Sequence, residues 1–280
     1  MYKDFEKVIK DFKHNAAAIT FIPKDQLTLE ICFEAVKKNG LALEYIPAKF
    51  KTFELCLMAV KNNGDALRYV PKKLKTLDIC HEAVNKDGSL SEVPNEYRSR
   101  ELCLISLDFH GTNNNYVPNE LWESPDFCLD AIKRKYGHLG NIPKNLRTEE
   151  ICLIAVEKLG DNLEDVPDNL KKSELCLIAI STMTPSEFYT VPKKLWNSPE
   201  FFASAVQRNG FSLRCNPRLV TPELCIVAVN QDGEALMDVP EELKTLELCI
   251  VACKNNINAL EYVPEDLQEK TKNILGIDKK

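Results

Sequence analysis

The sequence predicts an all-α fold, an α-solenoid of eleven repeats of about 24 residues, each one helix plus a short helical turn. Three observations carry that prediction. Nine cysteines recur every 23 to 25 residues: Cys32, Cys56, Cys80, Cys103, Cys128, Cys152, Cys176, Cys225 and Cys249, with one gap of 49 that holds a copy bearing Phe202 instead. Eleven prolines keep the same beat, Pro23, Pro47, Pro71, Pro94, Pro118, Pro143, Pro167, Pro192, Pro217, Pro240 and Pro264, in most copies 15 residues after the cysteine. Between the two beats lies an apolar set with the spacing of a helix, and no alternation of period two that would mark a strand.

The clearest copy, TFELCLMAVKNNGDALRYVPKKLK from Thr52, justifies each element in turn. A Thr or Ser opens the helix, where its side chain accepts a bond from a free backbone N–H. Three copies add proline at the first helical position, Ser124–Pro125, Ser198–Pro199 and Thr221–Pro222. An acid follows, as Glu54, Asp126, Glu200 and Glu223, at the positive end of the helix dipole. Leu55, Cys56, Leu57, Ala59 and Val60 then cover about half the helix circumference, which requires neighbours on two sides. Gly40, Gly64, Gly88, Gly160, Gly210 and Gly233 end the helix, where a left-handed cap is expected. A short apolar turn such as ALRYV and a Pro-x-x-Leu bend complete the unit, since proline blocks continuation of a helix. One unit cannot bury its own apolar face, so the units must stack.

Two copies depart from the pattern. GTNNNYVP and TMTPSEFYTVP replace the glycine turn, and each leads into a matching phrase, LWESPDF or LWNSPEF, placing Trp122 and Trp196 three copies apart. Either a three-unit block was duplicated or the superhelix changes locally there. Residues 1–27, with Val8 in the cysteine position, are expected to form an N-terminal capping unit; 28–267 form ten regular repeats and 268–280 a C-terminal cap or tail. No Gly/Ser-rich or Pro-rich linker interrupts them, so a single domain spanning 1–280 is expected.

At 44% hydrophobic and 28% charged, the composition is that of a soluble globular protein. The opening MYKDFEKVIKDFKHN is charged throughout, and no apolar run approaches the roughly twenty residues of a membrane span. A cytoplasmic location without membrane contact is therefore expected, although secretion without an N-terminal signal stays compatible.

The cysteine ladder invites metal or disulfide chemistry, but cysteines one repeat apart should lie about 8–10 Å from each other, the spacing of packed helices. That is too far for a disulfide or a shared zinc ion. There is no C-x-x-C, and the closest pair, Cys249 and Cys253, has no histidine nearby in sequence. The ladder reads as small apolar packing, with Cys215, on the bend, as the more exposed thiol. His14, His81, His110 and His138 fall in no metal-ligand spacing, and nucleophile-elbow and phosphate-loop motifs are absent. No catalytic residue, metal or cofactor is assigned, and a non-enzyme is expected.

Function is sought where the repeat varies. The residue two before each proline runs Phe21, Tyr45, Tyr69, Glu92, Tyr116, Asn141, Asp165, Thr190, Cys215, Asp238, Tyr262. Its tyrosines either plug gaps between units or form a partner-binding ridge, since tyrosine supplies contact area at low entropic cost. Phe21, Tyr45, Tyr69, Tyr116, Trp122, Trp196 and Tyr262 are the candidate partner-binding residues. The position two after the cysteine also varies; its apolar members Ile154, Ile178, Val227 and Val251 border the buried arc, as core or as the floor of a groove.

The expected partner is a protein or peptide. Residues 1–75 hold 14 Lys and Arg against 9 Asp and Glu, and the remainder 22 against 33. A basic patch from Lys37, Lys38, Lys61, Arg68, Lys72 and Lys73 supports an alternative nucleic-acid reading, which the overall pI of about 5.5 opposes. A third alternative is an enzyme or sensor whose site is assembled across repeats.

The phrase T-x-E-L-C-L-x-A-V-K-x-N-G-x-A-L-x-Y-V-P-x-x-L, seen in TFELCLMAVKNNGDALRYVPKKL, TPELCIVAVNQDGEALMDVPEEL and TLELCIVACKNNINALEYVPEDL, resembles a bacterial repeat family of unknown function. The resemblance covers residues 28–267 and implies a bacterial origin and a helical repeat fold. It implies no activity and no site residues.

Overall fold

A computed structural model describes residues 11–277, and every regular element among them is helical. Val8 and much of the expected N-terminal cap lie outside the described residues, as do the last three residues of the chain. The chain divides into two compact units between Leu146 and Arg147. The first carries α1 (Leu29–Lys38), α2 (Phe53–Asn62), α3 (Leu77–Asp87), α4 (Arg100–Ser106), α5 (Asn119–Trp122) and α6 (Pro125–Lys133). The second carries α7 (Glu149–Lys158), α8 (Ser173–Ile180), α9 (Lys193–Trp196), α10 (Pro199–Arg208), α11 (Pro222–Gln231), α12 (Leu246–Asn255) and α13 (Glu265–Leu275).

Each regular repeat is a main helix, a six-residue 3-10 helix such as Gly64–Tyr69, and a three-residue 3-10 turn on the proline such as Lys72–Leu74. Within each unit the main helices pack on one another in order, and most of the six-residue 3-10 helices stack in a second column. This is an all-α solenoid. Helix α13 packs on α12 and closes the second unit's described end.

The repeated residues are interior. Leu55, Cys56, Ala59 and Val60 of α2 are all fully buried, and the equivalent residues of α7 and α12 are buried too. Burying each large aliphatic side chain contributes about 2 kcal/mol. Thr52 Oγ1 accepts from Leu55 N–H at 3.2 Å, and the same cap recurs at Thr28, Thr76, Ser99, Ser124, Thr148, Ser198, Thr221 and Thr245. Each cap contributes about 1 kcal/mol. Helix α8 lacks it: Ser173 is already helical and Lys172 takes the capping position without a side-chain bond.

The glycines correct one expectation. Only Gly88 and Gly276 adopt the left-handed conformation, at φ 74° and 69°. Gly40, Gly64, Gly160 and Gly233 instead begin the 3-10 helices, and a methyl at any of them would run into the carbonyl oxygen of Ala59, Ala83, Ala179 or Ala252 on the next repeat's helix. Close approach of two backbones, not a left-handed turn, requires glycine here. The next helix also reaches back: the amide oxygen of Asn62 accepts from Gly40 N–H at 2.8 Å while its nitrogen donates to Lys37 O at 2.8 Å. Gln231 and Asn255 make the same clamp on Gly210 and Gly233.

The two irregular copies fold alike. Helices α4 and α8 end early, and the following proline starts a four-residue α-helix, α5 or α9, in place of the 3-10 turn. Trp122 and Trp196 end these helices edge-on to Phe127 and Phe201, with ring centroids 5.1 and 5.4 Å apart. Both indoles are interior, at 8% and 6% exposure, so these two candidates are packing residues and leave the partner-binding set.

Candidate interaction surfaces

The residue two before each proline ends a six-residue 3-10 helix in most repeats. Because those helices stack, Phe21, Tyr45 and Tyr69 stand on three consecutive rungs. Phe21 is 72% exposed and Tyr45 40%, while Tyr69 is half-buried. The rungs are in electrostatic contact. A hydrogen bond to the Glu44 carboxylate, with its charge, raises the Tyr45 phenol above its ordinary value; burial and then the same carboxylate raise Tyr69. Arg68 lies over the Tyr69 ring at 6.0 Å, and Arg98 over the exposed Tyr116 at 5.5 Å. Tyr262, in the second unit, is half-buried.

Other rungs are polar. Asp238 pairs with Arg214 at 2.9 Å, yet burial outweighs that cation and raises its carboxyl above the ordinary value. Cys215 is half-buried, more open than the other cysteines, and burial pushes its thiol up to about 12. It is therefore a neutral thiol near pH 7, not an activated nucleophile.

The rungs are held from behind by a row of cations. Lys51 Nζ donates to Tyr69 O at 3.1 Å, Lys75 Nζ to Glu92 O at 2.9 Å, Arg98 Nη1 to Tyr116 O at 3.0 Å and Lys244 Nζ to Tyr262 O at 3.2 Å. At Tyr69, Tyr116 and Tyr262 the carbonyl lies at the C-terminus of a 3-10 helix, where a cation is favoured, and at Glu92 it lies in the turn that takes that helix's place. The row has a sequence signal that the cysteine and proline beats overshadow: Lys51, Lys75, Arg98, Arg147, Lys171 and Lys244 each lie five residues before a cysteine.

A second surface lies on the main helices. The residue two before the cysteine shares a helix face with those one and two after it, three and four residues on. In the second unit the sets are Glu150, Leu153, Ile154; Glu174, Leu177, Ile178; Glu200, Ala203, Ser204; Glu223, Ile226, Val227; and Glu247, Ile250, Val251. All five glutamates are exposed, Leu153 is 37% and Ile226 50% exposed, and the remaining members are half-buried. The stripe of Ile154, Ile178, Val227 and Val251 is thus neither sealed core nor fully open; it forms the inner edge of an apolar face. Among the described residues none of these five glutamates pairs with a cation.

Burial pushes the Cys56, Cys80, Cys152 and Cys225 thiols up to about 11 and Cys103 to about 12. No group of three metal-ligating side chains converges among the described residues, and no described helix is long and apolar enough to cross a membrane.

Fold and surface together define a class: a tandem helical-repeat protein whose variable positions lie on its outer faces. The sequence model of a domain of unknown function (DUF4116) matches residues 4–51, 28–75, 52–98 and 221–268, and the chain belongs to that family. Each match spans two successive repeats, and the first three are offset by one repeat. No curated protein and no solved structure matches the chain.

Proposed function

We propose that the protein is a non-catalytic scaffold that binds a protein or peptide partner through the ends of its stacked 3-10 helices. The observation that carries this reading is the placement of Phe21, Tyr45 and Tyr69 on consecutive rungs, two of them exposed, with Lys51 fixing the Tyr69 rung from behind. Aromatic side chains held in place lose little entropy on contact, so they suit a binding ridge. The neutral, buried thiols favour a packing role over a catalytic one.

The N-terminal basic patch gives weaker support to a nucleic-acid partner. Lys37, Lys61 and Arg68 face Glu34, Glu82 and Asp65 at 4.0, 3.5 and 3.5 Å, which lowers the charge on offer to phosphates. The test is recovery of partners from a lysate of the source organism by the wild type and by the double variant Tyr45→Ala, Tyr69→Ala. Loss of the same bound proteins in the variant is expected. Equal recovery overturns the ridge, and retention on a polyanion column that falls steeply with salt redirects the reading to nucleic acid.

A further inference from the structure

We infer that the outer helix face of the second unit is a separate docking surface for a basic amphipathic helix. Its apolar line runs from Leu153 on α7 to Ile226 on α11, both large aliphatic side chains held substantially in solvent, through the half-buried Leu177 and Ala203 on the two main helices between them. Its edge is acidic: Glu150, Glu174, Glu223 and Glu247 project one per helix beside that line, without a cation partner among the described residues. Hydrogen bonds to helix-start hydroxyls and N–H groups lower the Glu200 and Glu223 carboxyls, which favours their charged form. The wider field agrees, since residues 147–280 hold 15 Lys and Arg against 22 Asp and Glu.

The spacing selects a helix. Neighbouring main helices pack about 8–10 Å apart. A helix laid across them advances about 1.5 Å per residue, so every seventh residue, about 10.5 Å on, meets the next ridge. A partner with apolar residues on one face and Lys or Arg beside them would bury the aliphatic centre and pair with the glutamate row. A second copy of this chain is a poor occupant, because like rows of carboxylates would oppose each other.

The test uses the full chain and a fluorescein-labelled helical peptide of leucine and lysine, leucines on one face and lysines flanking them, read by fluorescence anisotropy. Its counterpart with glutamate for lysine is the control. The lysine peptide is expected to bind at least about tenfold more tightly than the glutamate peptide. Leu153→Asp with Ile226→Asp should weaken it about tenfold at unchanged far-ultraviolet spectrum and melting temperature. The quadruple variant Glu150→Gln, Glu174→Gln, Glu223→Gln, Glu247→Gln should weaken it similarly and flatten its salt dependence. Three results overturn the inference: no binding at about 0.1 mM peptide, equal binding of the two peptides, or unchanged binding by both variants. A concentration-dependent dimer in sedimentation that Ile226→Asp abolishes also overturns it and assigns the face to a second copy. The variant Tyr45→Ala, Tyr69→Ala should bind the peptide as wild type does, so this inference and the aromatic ridge can fail separately.

Discussion

The two units repeat one interior and present different exteriors. In the first, the position two after the cysteine is Glu34, Met58, Glu82, Ile105 and Asp130, acid alternating with apolar. Those acids are engaged: Glu34 faces Lys37 on its own helix, Glu82 faces Lys61 on the preceding helix, and Asp130 pairs with Arg100 across α4 and α6. A cleft of about 700 Å³ at Asp130 is framed by Arg100, Asp108, Asp130 and Arg134, with Arg134 and Asp108 2.9 Å apart. In the second unit the same position is Ile154, Ile178, Ser204, Val227 and Val251, with no acid among them, whereas the helix-start acids two before the cysteine lack a cation in both units among the described residues. Packing fixes the cysteine, alanine and glycine positions in both units alike. The outer face is free of that demand, so its divergence points to recognition rather than to stability.

The shared half of that comparison can be broken with alkali, where the largest effect is expected. The thiols Cys32, Cys56 and Cys80 in the first unit and Cys152, Cys176 and Cys225 in the second move from an ordinary 9.0 to about 11. Unfolded thiols begin to ionise near pH 9, while folded ones keep their protons to about pH 11. The native state then holds more protons, so stability falls as pH rises through that window, by about 1.4 kcal/mol per thiol per pH unit. With six such thiols the loss amounts to several kcal/mol per unit. Peptide-resolved hydrogen exchange should show both units opening together; one unit surviving alone would end the claim of a common interior.

The glycines sharpen it further. Gly64→Ala in the first unit and Gly233→Ala in the second should each cost about 3 kcal/mol in denaturant unfolding, because the added methyl meets a backbone oxygen that cannot step aside. Gly276→Ala is the contrast, with φ 69° but nothing within 4 Å, and should cost only about 1 kcal/mol. A reversed order would mean that conformation, not proximity, selects glycine in these repeats.

That distinction also marks what the sequence made legible. The helix starts, the cysteine beat and the proline bends are local: Thr52 caps because of its own hydroxyl, and Pro71 blocks the helix through its own ring. What depends on the next repeat was hidden. Gly64 looked like a cap because the Ala83 carbonyl that excludes a side chain lies on the following helix. Trp122 looked like a surface anchor because its cover, Phe127, follows across a helix break. The cation row was visible as Lys51, Lys75 and Arg98 five before each cysteine, but its purpose appears only with the carbonyls of the neighbouring rung. On the candidate ridge, sequence located the positions, while exposure separated Phe21 and Tyr45 from the buried indoles.

The cation row should behave equally in both units at a middling cost. Lys51→Met strands the Tyr69 carbonyl and Lys244→Met the Tyr262 carbonyl, and each loss should cost about 2 kcal/mol. The Lys244 side chain is only 6% exposed, so water cannot readily take its place. Equal losses in urea unfolding would show one staple serving both columns of 3-10 helices; a negligible loss in either would reduce that bond to surface decoration.

The smallest effects test the differing half. Lys61→Ala and Arg100→Ala remove exposed ion pairs from the first unit's face and should cost under about 1 kcal/mol each, less still in high salt. Ile226→Asp, on the second unit's face, should change stability by no more than about 0.5 kcal/mol because its side chain is already half in solvent. Hydrogen exchange with added salt should therefore loosen the first unit's outer helices slightly, and in the second unit only the starts of α7 and α8, which the exposed Lys172–Glu149 pair joins. If Ile226→Asp instead unfolds the second unit, the aliphatic face is interior to the fold's stability, and its apolar character follows from packing rather than from recognition.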